Sequence, residues 1–370
     1  AVPLVLICFL FFPRISPLWS IPIKTDSAKS GFSDRMSPGV IASLVRSSER
    51  AFRVTFSGDV PKKSELYWRG LVLDEFDGRV WTQAAKSIPY LGNYKVDSGS
   101  FYGTDKPFYQ VMLEPHKQKW IFALEGSQAA STNVLRADMG IFSLKTDAIQ
   151  ATHYKMEQIS RSVPEIKYPL ISSLVVLNKK ARSKSSYFQD LQLPSSSINP
   201  QTQAYVADLK ARVSDPYALL NFLMKQFSDD LFYYTLKPPT LGADSVDEFL
   251  FHSKQGFCAH YAGSLAYMLR LSGIPARVIV GYQGGEYNAK SKYLIVHQFD
   301  AHAWVEAKLP SLGWVRIDPT SMVSPERILH GFEETMADSS GFLEGSPFSS
   351  MMLRSSALNW LRLRMDELSF

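Results

Sequence analysis

Three residues of this chain could together carry out acyl transfer. Cys258 lies in Gln255-Gly256-Phe257-Cys258-Ala259-His260-Tyr261-Ala262 and is the only cysteine outside the apolar first dozen residues. His302 follows in Asp300-Ala301-His302-Ala303-Trp304-Val305-Glu306, and Asp318 in Arg316-Ile317-Asp318-Pro319-Thr320. In such a set a thiolate attacks the carbonyl carbon, an imidazole moves the proton, and a carboxylate orients the ring.

These side chains need elements to position them. After Cys258, the residues Leu265, Met268, Leu269 and Leu271 recur at helical spacing, and Gly273-Ile274-Pro275 ends the run. Cys258 is thus expected in the first turn of a helix. There the positive end of the helix dipole favours thiolate, and free backbone N–H groups can hold an oxyanion. His302 falls in a run from Leu294 to Leu309 that reads as one strand, with Gln298, Asp300, His302, Trp304 and Glu306 on one face. Pro310-Ser311-Leu312-Gly313 makes a turn, and Trp314 to Asp318 is the return strand. A hairpin centred on 310 or 311 pairs positions whose numbers sum to 620 or 622. Asp318 then falls opposite His302 or one diagonal away.

Other polar residues fit the chemistry less well. His260, two residues after Cys258 on one helix, diverges from it. His252 reads as a surface residue, His297 points away from the His302 face, and His116, His153 and His330 lie outside the pattern. Asp300 and Glu306 are expected at the cleft or its rim. Tyr234 is a candidate second donor to an oxyanion or else a core tyrosine, and Trp304 is a candidate cleft residue. No set of His, Asp or Glu has metal-ligand spacing, so neither metal nor cofactor is expected. Gly281 to Glu286 matches a phosphate loop poorly and reads as a tight turn or cleft edge.

The 370 residues suffice for two domains, and a formal charge of +5 without a basic, aromatic-rich run argues against nucleic acid as a partner. Two cysteines give no disulfide framework. Residues 1–19 are expected to be the exit end of a transmembrane helix, with Arg14, Trp19 and Lys24 as interfacial anchors. Residues 20–50 read as a linker. Residues 51–180 are β-rich: Ala51 to Phe56, Leu66 to Leu73, Phe108 to Leu113 and Lys119 to Leu124 read as strands, with Asp77-Gly78 as a turn. This suggests a sandwich or barrel, with Trp68, Trp81 and Trp120 in its core. Residues 200–330 begin with helices at Gln201 to Val213 and Pro216 to Asp229, the second burying Ala218, Leu219, Phe222, Leu223 and Phe227. Sheet follows helix, so the class is α+β. Residues 331–370 read as a juxtamembrane segment.

With these residues in place the chain resembles the transglutaminase-like superfamily, whose papain-like core carries Cys, His and Asp in this order. Tyr234-Thr235-Leu236-Lys237-Pro238-Pro239, Asp244 to Phe251, Gly256-Phe257-Cys258, His302 to Glu306 and Asp318-Pro319-Thr320 are similar to the bacterial membrane-anchored transglutaminases of the TgpA type. Ala259 departs from the pattern, standing where relatives usually carry Glu. The resemblance implies Cys258 as nucleophile, His302 as base and Asp318 as its partner. It also implies an inner-membrane anchor with a periplasmic catalytic domain. The expected reaction joins the acyl group of a glutamine carboxamide, on a protein or peptide, to an amine through a Cys thioester. A cysteine peptidase or amidase acting on cell-wall peptides uses the same trio. A non-catalytic membrane scaffold is the remaining alternative.

Overall fold

The computed structural model describes residues 35–36, 44–84, 107–158, 175–178, 189–195, 197–229 and 231–332. The segment expected to leave a membrane (1–19) lies outside them, as do residues 333–370 of the expected juxtamembrane segment. Among the described residues no helix is long and apolar enough to cross a membrane. All of them belong to one compact unit, Gly31–Phe370.

Two six-stranded sheets organise the fold. Their strands are β1 (Arg50–Phe56), β2 (Tyr67–Leu73), β3 (Phe108–Leu113), β4 (Ala123–Leu124), β5 (Ser127–Ala129), β6 (Thr152–Gln158), β7 (Val175–Asn178), β8 (Ala276–Gln283), β9 (Glu286–Asn288), β10 (Tyr293–His297), β11 (Ala301–Leu309) and β12 (Gly313–Ile317). The first sheet runs β9-β10-β1-β3-β6-β5 and the second β7-β12-β11-β8-β2-β4. Every pairing within them is antiparallel. Each sheet draws strands from both stretches read from the sequence, 51–180 and 200–330. These regions therefore meet through backbone hydrogen bonds, β2 against β8 and β1 against β10.

Side-chain chemistry explains the layering. All seven residues of β2, Tyr67-Trp68-Arg69-Gly70-Leu71-Val72-Leu73, are buried, as a strand covered on both faces requires. Phe52 of β1 lies 5.3 Å from Trp68, 5.5 Å from Phe122 and 5.4 Å from Tyr282 of β8, so an aromatic cluster joins the sheets. Burying one such ring contributes about 1.5–3 kcal/mol. Gly281 permits the close approach of β2 and β8: a Cβ there would stand 2.0 Å from the Trp68 carbonyl oxygen. β8 thus runs through Gln283, and the turn expected from Gly281 to Glu286 shrinks to Gly284-Gly285. Lys119 to Leu124 forms strand only at its end, as β4. Trp68 and Trp81 are buried, whereas Trp120 is partly exposed.

The helices that bear on the site are α1 (Pro200–Arg212), α2 (Pro216–Asp229), α3 (Cys258–Leu271), α4 (Thr320–Val323) and α5 (Pro325–His330). In α2 the buried face is Leu219, Leu220, Leu223, Met224 and Phe227; Phe222 is half exposed, so its expected place in the core is corrected. Every residue of α3 from Cys258 to Arg270 is buried. It lies across β11 and β8 of the second sheet, with α1 and α2 against it. Its polar residues His260, Ser264 and Arg270 are buried with it, and Arg270 donates to the Ala276 and Asp74 carbonyls at 2.7 and 2.8 Å. The run from Leu294 to Leu309 is not one strand. A 3-10 turn at Gln298–Asp300 divides it, sending β10 into the first sheet and β11 into the second. The Asp300 carboxylate accepts the His297 backbone N–H at 2.9 Å, fixing that corner.

Candidate active site

Cys258 is the first residue of α3. Phe257 before it is extended, and its backbone N–H donates to Nδ1 of His260 at 3.3 Å. His260 thus serves the helix cap, and burial pushes its pKa down to about 4. Its side chain is committed to the backbone and the Phe257 ring instead of the thiol.

His302 is the second residue of β11, paired with Gly281 of β8. β11 and β12 pair Val305 with Ile317 and Leu309 with Gly313, the register in which numbers sum to 622. Asp318, just past β12, is therefore one diagonal from His302, and the side chains meet: Nε2 of His302 lies 2.7 Å from Oδ2 of Asp318. The other ring nitrogen, Nδ1, has no hydrogen-bond partner among the described residues. The Cys258 thiol faces it, near enough to interact but outside hydrogen-bond geometry. A looser contact of this kind is common before substrate arrives.

Asp318 is held by three donors. Besides His302, the Tyr67 hydroxyl donates to Oδ2 at 2.7 Å and the Thr320 backbone N–H donates to Oδ1 at 3.0 Å. Tyr67 opens β2, so the β-rich stretch reaches the site directly. Its ring lies under the Arg316 guanidinium at 3.7 Å, and Arg316 pairs with Glu125 at 2.6 Å. Nothing in the strand-like run around Tyr67 distinguishes it from a core tyrosine; only the pairing of β2 with β8 carries it here.

The electrostatics follow from burial and partners. Burial pushes the Asp318 carboxyl up, but His302 and the three hydrogen bonds together hold it below the usual carboxylate range. Burial pushes His302 down, yet the Asp318 charge outweighs it and leaves the imidazole above its ordinary value. Burial also pushes the Cys258 thiol up; His302, Arg327 and the Ala303 backbone N–H pull it below its ordinary value. A lowered thiol beside a raised imidazole makes a thiolate–imidazolium pair accessible.

The remaining expectations sort clearly. Tyr234, on a two-residue strand paired in parallel with Gln255–Gly256, places its hydroxyl beside the Cys258 backbone N–H. That hydroxyl has no hydrogen-bond partner among the described residues, and burial pushes its pKa up. Trp304 is fully buried beneath the His302 ring, 6.1 Å between centroids, and edge-on to Tyr67 at 5.2 Å. It packs against the imidazole. Glu306, expected at the cleft, is fully buried between Arg69 and Arg277, with the latter's Nη2 at 2.7 Å. Asp300 is buried in its corner. His252 is exposed. Among the described residues no His, Cys, Asp and Glu cluster could hold a metal ion.

A helix-borne cysteine against an antiparallel sheet that presents His and Asp defines a papain-like cysteine core. Residues 203–319 match the family model of the transglutaminase-like superfamily, and residues 1–164 match that of the TgpA N-terminal domain. The chain belongs to the transglutaminase-like superfamily, in its TgpA branch. The protein-glutamine gamma-glutamyltransferase of Pseudomonas aeruginosa is 41% identical over 373 residues, covering 100% of this chain. The uncharacterized protein YebA of Bacillus subtilis is 24% identical over 83% of it. The chain spans about half the length of these curated relatives, 52% and 45% respectively. Crystal structures of the TgpA periplasmic domain from Pseudomonas aeruginosa superpose with TM-scores of 0.70 and 0.69, the latter bound to ethylmercury. They are 39% and 40% identical, and the match covers 83% and 81% of this chain and 99% and 100% of theirs.

Proposed function

We propose that the chain transfers the acyl group of a glutamine-type carboxamide to an amine at the periplasmic face of the bacterial inner membrane. The Cys258 thiolate attacks the carboxamide carbon, forming the C–S bond as the carbonyl becomes an oxyanion. The Cys258 N–H and the Tyr234 hydroxyl donate to that oxyanion. His302, protonated and held by Asp318, gives its proton to the departing nitrogen, so ammonia leaves and a thioester remains. An amine, such as a lysine side chain, attacks the thioester; as the C–N bond forms the C–S bond breaks, Cys258 leaves as thiolate, and His302 takes the proton the amine loses. No step needs a cofactor.

One observation carries this reading: the 2.7 Å His302–Asp318 contact turns the other imidazole nitrogen toward a thiol at a helix start. The name of the 41% identical relative supports a glutamine donor, and the periplasmic origin of the superposed domains supports the location. The test compares incorporation of a labelled primary amine into a glutamine-bearing protein with ammonia release in the amine's absence. Incorporation that Cys258→Ala abolishes is the expected result. Hydrolysis without incorporation would favour an amidase, and full activity in Cys258→Ala would refute the site.

A further inference from the structure

Arg327 is an unusual residue to find fully buried beside a reactive thiol. It lies in α5, the short helix that follows Asp318 through Pro319 and α4. Its Nη2 donates to the Ala301 carbonyl at 3.0 Å, one residue before His302. Nε and Nη1 are also buried and have no hydrogen-bond partner among the described residues. A guanidinium carries five N–H donors and stays charged, so leaving two of its nitrogens unpaired in the interior is costly. A residue kept only to tie α5 to β11 would not need that charge.

The surroundings show what the charge faces. Within electrostatic reach of Arg327 are Tyr234 on its short strand, Cys258 of α3, Asp318 at the end of β12, and Asp300 in the corner before β11. His302 of β11 is within the same reach, and there the cation disfavours the imidazolium while Asp318 favours it. The Phe332 ring closes the remaining side at 5.4 Å. Around Cys258 stand His302 and the Ala303 amide of β11, Tyr234, and Arg327. Arg327 is the one permanent cation in this set.

We propose that Arg327 is a positioning residue for the nucleophile, a fixed buried positive charge that holds Cys258 as the thiolate. The thiol proton passes to Nδ1 of His302, and the guanidinium stabilises the negative sulfur left behind. The same cation acts on the Tyr234 hydroxyl, so it also favours the negative charge that develops when the carbonyl is attacked. The imidazolium alone would hold the sulfur as thiolate only while it kept its proton. A cation that never titrates steadies the thiolate before substrate arrives and again when the C–S bond of the thioester breaks. The inference rests on Cys258 being the nucleophile.

The test is the pH dependence of Cys258 alkylation by iodoacetamide in the full chain, followed by peptide mass so that Cys8 is counted separately. Wild-type protein is expected to alkylate with an inflection well below the ordinary thiol value of about 8.5. Arg327→Gln should move that inflection up by about one pH unit, a tenfold loss of thiolate on the acid side. Arg327→Lys, which keeps the charge, should stay close to wild type. A depressed wild-type inflection that Arg327→Gln leaves in place, in a protein with an unchanged circular dichroism spectrum, overturns the proposal alone. An ordinary wild-type inflection overturns the nucleophile reading itself. Should Arg327→Gln not fold, His302→Gln decides: with the imidazole gone, the remaining cation should still hold the inflection below about 8.5, and an ordinary inflection there refutes the role.

Discussion

Two groups of buried charge share one face of β11, at His302 and at Glu306, and they differ in how their demands are met. Glu306 is fully buried, and Arg69 and Arg277 approach its carboxylate from two sides, with Nε of Arg277 at 2.8 Å. Arg277 in turn stacks on Trp314 at 3.9 Å. His302, equally buried, has one nitrogen satisfied by Asp318 and the other left without a hydrogen bond toward Cys258. The first group sets one anion between two cations. The second holds a base, a thiol and a hydroxyl short of complete pairing, and incomplete pairing is what a substrate can relieve. Burial of charge alone does not mark a site.

This contrast can be broken experimentally. The largest expected effect is at Cys258: replacing it with Ala should lower amine incorporation by at least about a thousandfold with an unchanged melting temperature. Asp318→Asn keeps the shape but loses the charge that orients His302, so kcat/KM should fall by about a hundredfold to ten-thousandfold. Glu306→Ala should do the reverse. Leaving two arginines without their carboxylate is expected to cost about 3–5 kcal/mol in denaturant unfolding, while the surviving folded fraction keeps its turnover. Loss of turnover without loss of stability there would erase the distinction between the groups. Tyr67→Phe removes one of three donors to Asp318 and should lower kcat/KM by about tenfold.

The pH profile sharpens the same point. With Cys258 below its ordinary value and His302 above, kcat/KM should rise as the thiol ionises and fall as the imidazolium loses its proton, giving a bell. For stability the signs differ. His302 is raised on folding, so its contribution is complete below the unfolded value of about 6.5 and disappears as pH rises through the folded one. Asp318 is depressed, so its contribution holds above about 3.9 and is lost as pH falls through the folded value. Unfolding free energy in Asp318→Asn should lose that acid-side slope.

Much of the site geometry was legible because it is local. The helix start at Cys258 follows from apolar spacing, and the diagonal between His302 and Asp318 follows from the turn between β11 and β12. What escaped the sequence depends on distant pairings. The corner at Gln298–Asp300 interrupts a run whose alternation looks continuous, because Asp300 caps a backbone N–H that no periodicity reveals. Tyr67 is brought to Asp318 by strand pairing across more than two hundred residues. Arg327 lies beyond the last motif, and only the return of the chain through α4 and α5 brings it to Ala301. Phe222 keeps the helical spacing of a core residue yet faces outward, because neighbouring apolar positions already fill that side of α2.

The placement of β2 has a practical consequence. It is an interior strand of the second sheet, flanked by β8 and β4, and it also supplies the Tyr67 hydroxyl. A fragment starting near residue 200 would retain Cys258, His302 and Asp318. It would also leave β8 as a bare edge, with a long apolar row of unpaired N–H and C=O groups inviting intermolecular strand addition. Such a fragment is expected to precipitate or to exchange strands between copies. The chemistry and the architecture of this chain are inherited together, and neither can be cut out as a cassette.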